Sequence, residues 1–248
     1  MLEDTHVILP IAGEGKRFVE KGYTFPKYLV SVRGKPVIQW VIESLQLPKA
    51  VYHIGCRSED IERFHLDDMF GQLVGSYTLR GFSQPTHGAA CTVLELMTGL
   101  KGELPVLVAN GDQWVTWDPR RVFEEVDEWH ADAAIMTFQS VHPKWSFVEL
   151  DDTGRWVRQV AEKRPISPWA TCGLYWARQA WQLRSCIEEM MQDPTNLVNN
   201  EWYLAPAFNE YVAQRWAVTA SPVQEMYGLG TPEDLEEFRM AVCLGNLP

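Results

Sequence analysis

Strand-length apolar runs alternate with helix-length amphipathic stretches through the first 140 residues, and that rhythm restricts the chain to a mostly parallel sheet with helices packed on it. A parallel strand pair needs a long crossover, and a helix is the usual one. Val7–Ile11, Ala50–Gly55, Leu73–Arg80, Pro105–Ala109 and Ala133–Phe138 read as strands. Between them Pro36–Leu47, Ser58–Phe70, Gly88–Leu100 and Asp118–His130 read as helices, with Pro36 at a first turn and Ser58 as an N-cap. The rhythm then changes. Phe147–Leu150 and Arg155–Val160 flank Asp151-Asp152-Thr153-Gly154, a hairpin with turn-forming residues at its tip. Gly173–Ala177 and Trp216–Ser221 are further strands, Arg178–Met191 and Glu201–Ala213 further helices, and Thr231-Pro232-Glu233-Asp234 starts the last helix. No repeat, low-complexity tract or linker is visible, so residues 1–248 read as one domain.

A chain of 248 residues can bury roughly 70–75% of its unfolded surface, enough for a core without disulfide or metal staples. The net charge of −11 excludes a general nucleic-acid surface, although a few local cations can still make a pocket for a nucleotide. The five cysteines are odd in number and scattered, which fits reduced thiols in a cytoplasmic protein. No run approaches the ~18 apolar residues of a membrane span, and no basic, apolar leader is seen, so a soluble protein without a membrane partner is expected. Of the eleven tryptophans, Trp114, Trp117 and Trp145 fall near the segments singled out below.

The first strand runs into Ile11-Ala12-Gly13-Glu14-Gly15-Lys16-Arg17-Phe18, followed by Pro26-Lys27-Tyr28-Leu29. Small residues at Ala12, Gly13 and Gly15 let a phosphate chain approach backbone N–H groups, and Lys16, Arg17 and Lys27 add positive charge around the same point. The glycines alone would also serve a plain turn. They form neither a P-loop nor a full dinucleotide fingerprint, because Phe18 and Val19 stand where the last glycine would be. A second segment, Gln84-Pro85-Thr86-His87-Gly88-Ala89-Ala90, puts small residues at a helix start, where a flat ring could lie against the main chain; a helix capped by Thr86 is the plainer alternative. A third, Val106 to Asp112, sets Asp112 just past the carboxyl end of an apolar strand, where open α/β sheets bind ligands. A lone carboxylate there suits Mg²⁺, a hard ion that also takes phosphate and water oxygens.

Gly13-x-Gly15-x-Arg17-Phe18 with Pro26-Lys27-x-Leu29 resembles the signature of the sugar-phosphate nucleotidylyltransferases, the nucleoside-diphosphate-sugar pyrophosphorylases, and the later motifs extend the resemblance over nearly the whole chain. It implies an α/β, Rossmann-like GT-A type three-layer sandwich with a mostly parallel, mixed central sheet and a small β-hairpin or lid. Residues 1–140 would then be a nucleotide-binding half and 141–248 an acceptor-binding half. It implies that Ala12, Gly13, Glu14, Gly15 and Lys16 bind the nucleotide phosphates and that Gln84, Gly88 and Ala89 meet the base. Arg17, Lys27, Asp112 and Lys163 would be the catalytic set, and Trp145, Glu162, Gly173 and Glu201 would line the acceptor. The family's second metal carboxylate falls at Gly228, so either Glu225 joins Asp112 or the ion is held by Asp112, phosphates and water.

The implied partners are an NTP, with a pyrimidine favoured, and a phosphorylated small molecule; a homo-oligomer is left open. The implied reaction is transfer of NMP from the NTP to a sugar 1-phosphate with release of pyrophosphate. Two rivals stand beside it: a cytidylyltransferase acting on a polyol, choline-like or amino-acid phosphate for capsule or surface polymers, and a nucleotide-binding regulator without turnover. A GT-A glycosyltransferase is disfavoured by Pro26-Lys27 and by Asn110, which stands where Asp-x-Asp is expected.

Overall fold

Strand β1 (His6–Pro10) is apolar on both faces, Val7 and Leu9 on one and Ile8 on the other, and it takes the middle of the sheet. In the computed structural model, which describes residues 5–245 and 247, it pairs in parallel with β4 (Val51–Arg57) on one side and β6 (Val106–Ala109) on the other. β5 (Ser76–Phe82) extends the sheet beyond β4, also in parallel. On the other flank β11 (Trp169–Ala177) runs antiparallel to β6 and to β8 (Ala133–Gln139), and β12 (Val218–Pro222) closes that edge parallel to β8. The hairpin β9 (Ser146–Leu150) and β10 (Val157–Glu162) joins at the start of β11, giving nine strands in one mixed, mainly parallel sheet.

Two apolar layers flank the sheet. One lies under α2 (Val37–Leu45), α6 (Pro119–Glu128) and α9 (Pro232–Cys243), the other under α5 (Ala89–Leu96), α7 (Ala180–Met190) and α8 (Phe208–Ala213). α6 shows how the sequence selects its place. Asp118 accepts from the N–H groups of Arg120 and Arg121, Pro119 opens the first turn, and Val122, Phe123 and Val126 form the buried stripe. Thr231 caps α9 by accepting from the Asp234 N–H at 3.1 Å, as its motif predicts.

Two local readings are corrected, and one ribbon is new. The helix expected over Ser58–Phe70 is two, α3 (Ser58–Arg63) and α4 (Leu66–Leu73), because His65 adopts φ 50° between them. Glu201 does not open a helix. Val198 and Glu201 pair across Asn199 and Asn200, both left-handed (φ 52° and 62°), a tight turn for which asparagine is suited. α8 begins only at Phe208, after a 3-10 turn over Ala205–Ala207. Finally, Gln113–Thr116 (β7) pairs antiparallel with Glu225–Gly228 (β13), a ribbon that periodicity does not reveal. Short α1 (Lys16–Glu20) and the small ribbon β2 (Ser31–Val32) with β3 (Lys35–Pro36) complete the architecture. Among the described residues no helix is long and apolar enough to cross a membrane.

Candidate active site

The loops at the carboxyl ends of β1, β5 and β6 converge with segments from the second half of the chain. After β1, Ile11 and Ala12 are buried while Gly13 and Glu14 are exposed. Gly13 has open space where a side chain would be. Gly15 is left-handed (φ +64°), and a Cβ on it would touch the Lys27 side chain at 3.7 Å, so this loop runs directly alongside Lys27. Lys16 pairs with Glu14 at 2.8 Å on the surface, and that carboxylate holds its ammonium above the usual lysine value.

Lys27 Nζ meets Asp112 Oδ2 at 2.5 Å, with both side chains mostly buried. Lys27 is presented by a 3-10 turn (Lys27–Leu29) that is anchored next door, where the buried Tyr28 hydroxyl donates to Asp60 at 2.9 Å. Asp112 is fixed from the far end of the chain: its carbonyl accepts from the Leu229 N–H at 2.7 Å. Gly230 leaves the carboxylate room, since a Cβ there would stand 3.0 Å from Asp112 Oδ2. Gly111 packs so tightly on Ile11 that a Cβ would fall 2.1 Å from Ile11 Cγ2, which sets Asp112 directly beside the β1 loop.

A second cluster gathers around Lys163. Lys163 Nζ donates to the Tyr203 hydroxyl at 2.5 Å and lies 4.1 Å from the centre of its ring. Ser146 donates to Glu162, whose carboxyl is raised above the ordinary value, by burial first, with the nearby Glu201 adding and the Ser146 hydrogen bond and Lys163 opposing. Burial and then Glu201 raise the Tyr203 phenol, while Arg17 acts on it in the opposite sense. Glu201 also acts on Lys16. Charges on the β1 loop and on the 201–203 turn therefore act on one another, Glu201 on Lys16 and Arg17 on the Tyr203 phenol.

Gly88 has a different neighbour from the one its motif suggests. Its φ is +108°, and the space of its missing side chain is taken by the Trp202 backbone, whose carbonyl oxygen would lie 2.5 Å from a Cβ. Trp202 donates to the His87 carbonyl at 2.8 Å and accepts from the Ala90 N–H at 3.1 Å. Gln84 is exposed beside this junction and Ala89 is half-buried. Thr86 is not the cap of α5; its hydroxyl bonds the Gly88 carbonyl and Thr92.

Gly173 is buried and left-handed (φ +76°) at an irregularity in β11, and the Gln113 amide fills its side-chain space. Gln113 Oε1 is buried with no hydrogen-bond partner. Trp145 packs edge-on to Phe138 at 5.4 Å, reaches Gly228, and accepts the Lys163 N–H on its carbonyl at 3.1 Å.

Glu225 does not join Asp112. It is exposed and sits opposite Thr116, three residues along β13 from Gly228 and so about 10 Å from that position. The carboxylate that approaches Gly228 is Asp234, with Oδ2 3.3 Å from where a Cβ would be, and it is paired with Lys144 at 2.6 Å. Among the described residues no group of three or more His, Cys, Asp or Glu side chains could hold a metal. Tyr203, Asp234 and Gln113 escaped the motif reading; adjacency to Glu201 and Asp112 is the only signal that two of them carry.

The architecture, a mixed α/β fold on a central mainly parallel sheet, is shared with solved structures over nearly the whole chain. The chain is similar to a nucleoside-diphosphate-sugar pyrophosphorylase from Vibrio cholerae RC9, with TM-score 0.83 and 24% identity over 94% of this chain and 99% of that one. It is similar to UDP-glucose pyrophosphorylase complexed with UDP-glucose (TM-score 0.76, 19% identity, 97% and 99% covered). A third structure, the inositol-1-phosphate CTP transferase from T. maritima, gives TM-score 0.75 at 12% identity over 97% and 95% of the two chains. No protein-family model and no curated protein sequence matches the chain.

Proposed function

We propose that the protein is a nucleotidylyltransferase that transfers NMP from an NTP, a pyrimidine nucleotide favoured, to a phosphorylated small molecule, with a sugar 1-phosphate the first choice. The contact of Lys27 with Asp112 beside Gly15 carries this reading, because it joins a fixed cation and a carboxylate at a loop shaped for phosphate. The shared fold with proteins named for UDP-glucose and inositol 1-phosphate adds support.

The residue types fit Mg²⁺: Asp112 would offer a hard oxygen donor, and Gly230 adds no side chain against it. An ion there would share the carboxylate with Lys27, whose Nζ lies on Oδ2 at 2.5 Å, and take its other ligands from phosphate and water. When bound, Mg²⁺ supplies charge neutralisation on the nucleotide phosphates. The rest falls to this chain. An acceptor phosphate oxygen attacks the α-phosphorus in line, one P–O bond forms, and the bond to pyrophosphate breaks. That oxygen is already anionic at neutral pH, so no general base is required. The Gly13–Lys16 backbone and Arg17 bind the β- and γ-phosphates, Lys27 stabilises charge at the α-phosphorus, and Lys163 places the attacking phosphate. Trp145, Glu162 and Glu201 line the acceptor side.

Pyrophosphate release with Mg²⁺, screened over five nucleoside triphosphates against sugar 1-phosphates and non-sugar phosphates, tests the reading. Release with one NTP and a sugar 1-phosphate is expected. Release only with CTP and a polyol, choline-like or amino-acid phosphate would move the acceptor. Silence on every pair, with nucleotide binding intact by thermal shift, would overturn transfer in favour of a binding protein.

A further inference from the structure

We infer that Tyr203 is a positioning residue that holds the Lys163 ammonium on the acceptor side of the site without cancelling its charge. The inference deepens the transfer reading and rests on it for the identity of the anion that Lys163 receives.

The other lysines described at this site are tied to carboxylates: Lys27 to Asp112, Lys16 to Glu14 and Lys144 to Asp234. Lys163 is held differently. Its ammonium donates to a phenol at 2.5 Å and lies 4.1 Å from the centre of the same ring. A hydroxyl oxygen and a π-face attract a cation while leaving its full charge available to a third group. Glu162 feels this ammonium through space, but among the described residues no carboxylate forms an ion pair with it.

Both ends of the arrangement are built. Lys163 follows directly on β10 with a left-handed backbone (φ 53°), uncommon for a residue with a side chain, and its N–H is tied to the Trp145 carbonyl at 3.1 Å. Tyr203 follows Trp202, whose backbone is clamped to His87 and Ala90 through the space left by Gly88. A lysine stem is flexible and would otherwise sample many rotamers. Tyr203 selects the one that brings the ammonium onto its own hydroxyl and ring.

The test uses the full chain with Tyr203→Leu and Tyr203→Phe, two readouts for each. Acylation of Lys163 by a water-soluble succinimidyl ester, followed by mass spectrometry, reports on the lysine without any reaction being catalysed. The KM values for acceptor and NTP report on its role. Tyr203→Leu should raise Lys163 acylation several-fold and acceptor KM by about tenfold, the scale of one cation–π contact and one hydrogen bond, with NTP KM within about twofold. Tyr203→Phe, which keeps the ring, should fall between, and it decides the matter if the leucine variant does not fold. Unchanged Lys163 acylation in the variants would overturn the inference, as would a parallel rise in both KM values. Altered acylation in a protein whose wild type releases no pyrophosphate would leave the positioning standing and bring down the transfer reading instead.

Discussion

Lys27 Nζ and Asp112 Oδ2 stand 2.5 Å apart although 85 positions separate them in sequence, so two distant motifs act as one charged unit. A partly exposed ion pair contributes only about 0–1 kcal/mol to folding, whereas one charge-stabilising donor contributes on the order of 10²–10³ in turnover. Lys27→Ala should therefore lower kcat on that scale while the melting temperature moves by only a few degrees. Steady-state kinetics beside thermal melts checks this, and near-normal turnover would count against the proposed role.

The proposed reaction gives Asp112 the Mg²⁺. Stripping divalent ions with a chelator should abolish pyrophosphate release, and added Mg²⁺ should restore it. Asp112→Asn should raise the Mg²⁺ concentration needed for half-maximal rate. Full activity in the chelator would remove the ion from the reaction.

Gly88 cannot readily be anything else. At φ +108°, a Cβ would press on the Trp202 carbonyl oxygen at 2.5 Å, and the backbone strain alone costs about 1–3 kcal/mol. Gly88→Ala should lower the melting temperature and raise acceptor KM, because Glu201 and Tyr203 move with Trp202. A variant that melts and binds like the wild type would mean that the 201–203 turn is not anchored at Gly88.

Glu162 carries a pH signature. Burial raises its folded carboxyl above the ordinary 4.5, so the folded state holds a proton that the unfolded state has released. Its contribution to stability is complete below about 4.5 and is lost as pH rises through the folded value. Glu162→Gln, which keeps a partner for Ser146, should melt higher than wild type at pH 7 and level with it at pH 4. A difference independent of pH would assign the effect to packing.

The sheet was legible because buried strands announce themselves: Val106 to Ala109 is apolar throughout, and Asp118-Pro119 marks a helix start without tertiary help. Gly15, Lys27 and Asp112 were singled out from separate motifs, and the chain brings the three together. What stayed hidden depends on distance in sequence. Nothing local says that Gly88 makes room for Trp202, that Gln113 lies under Gly173, or that Glu225 is carried away from Asp112 by pairing with Thr116. The turn at Asn199-Asn200 was legible in principle, since two asparagines suit a left-handed pair, but the amphipathic stretch beyond it outweighed that signal.

The hydrogen bond from Leu229 to Asp112 also has a consequence in time. A ribosome makes the Asp112 loop more than a hundred residues before it makes Leu229, which fastens it, and Gly230 follows next. The nascent chain can therefore lay down its first parallel strands while the acid at their edge is still untethered. The loop is fastened only once the chain has reached Leu229.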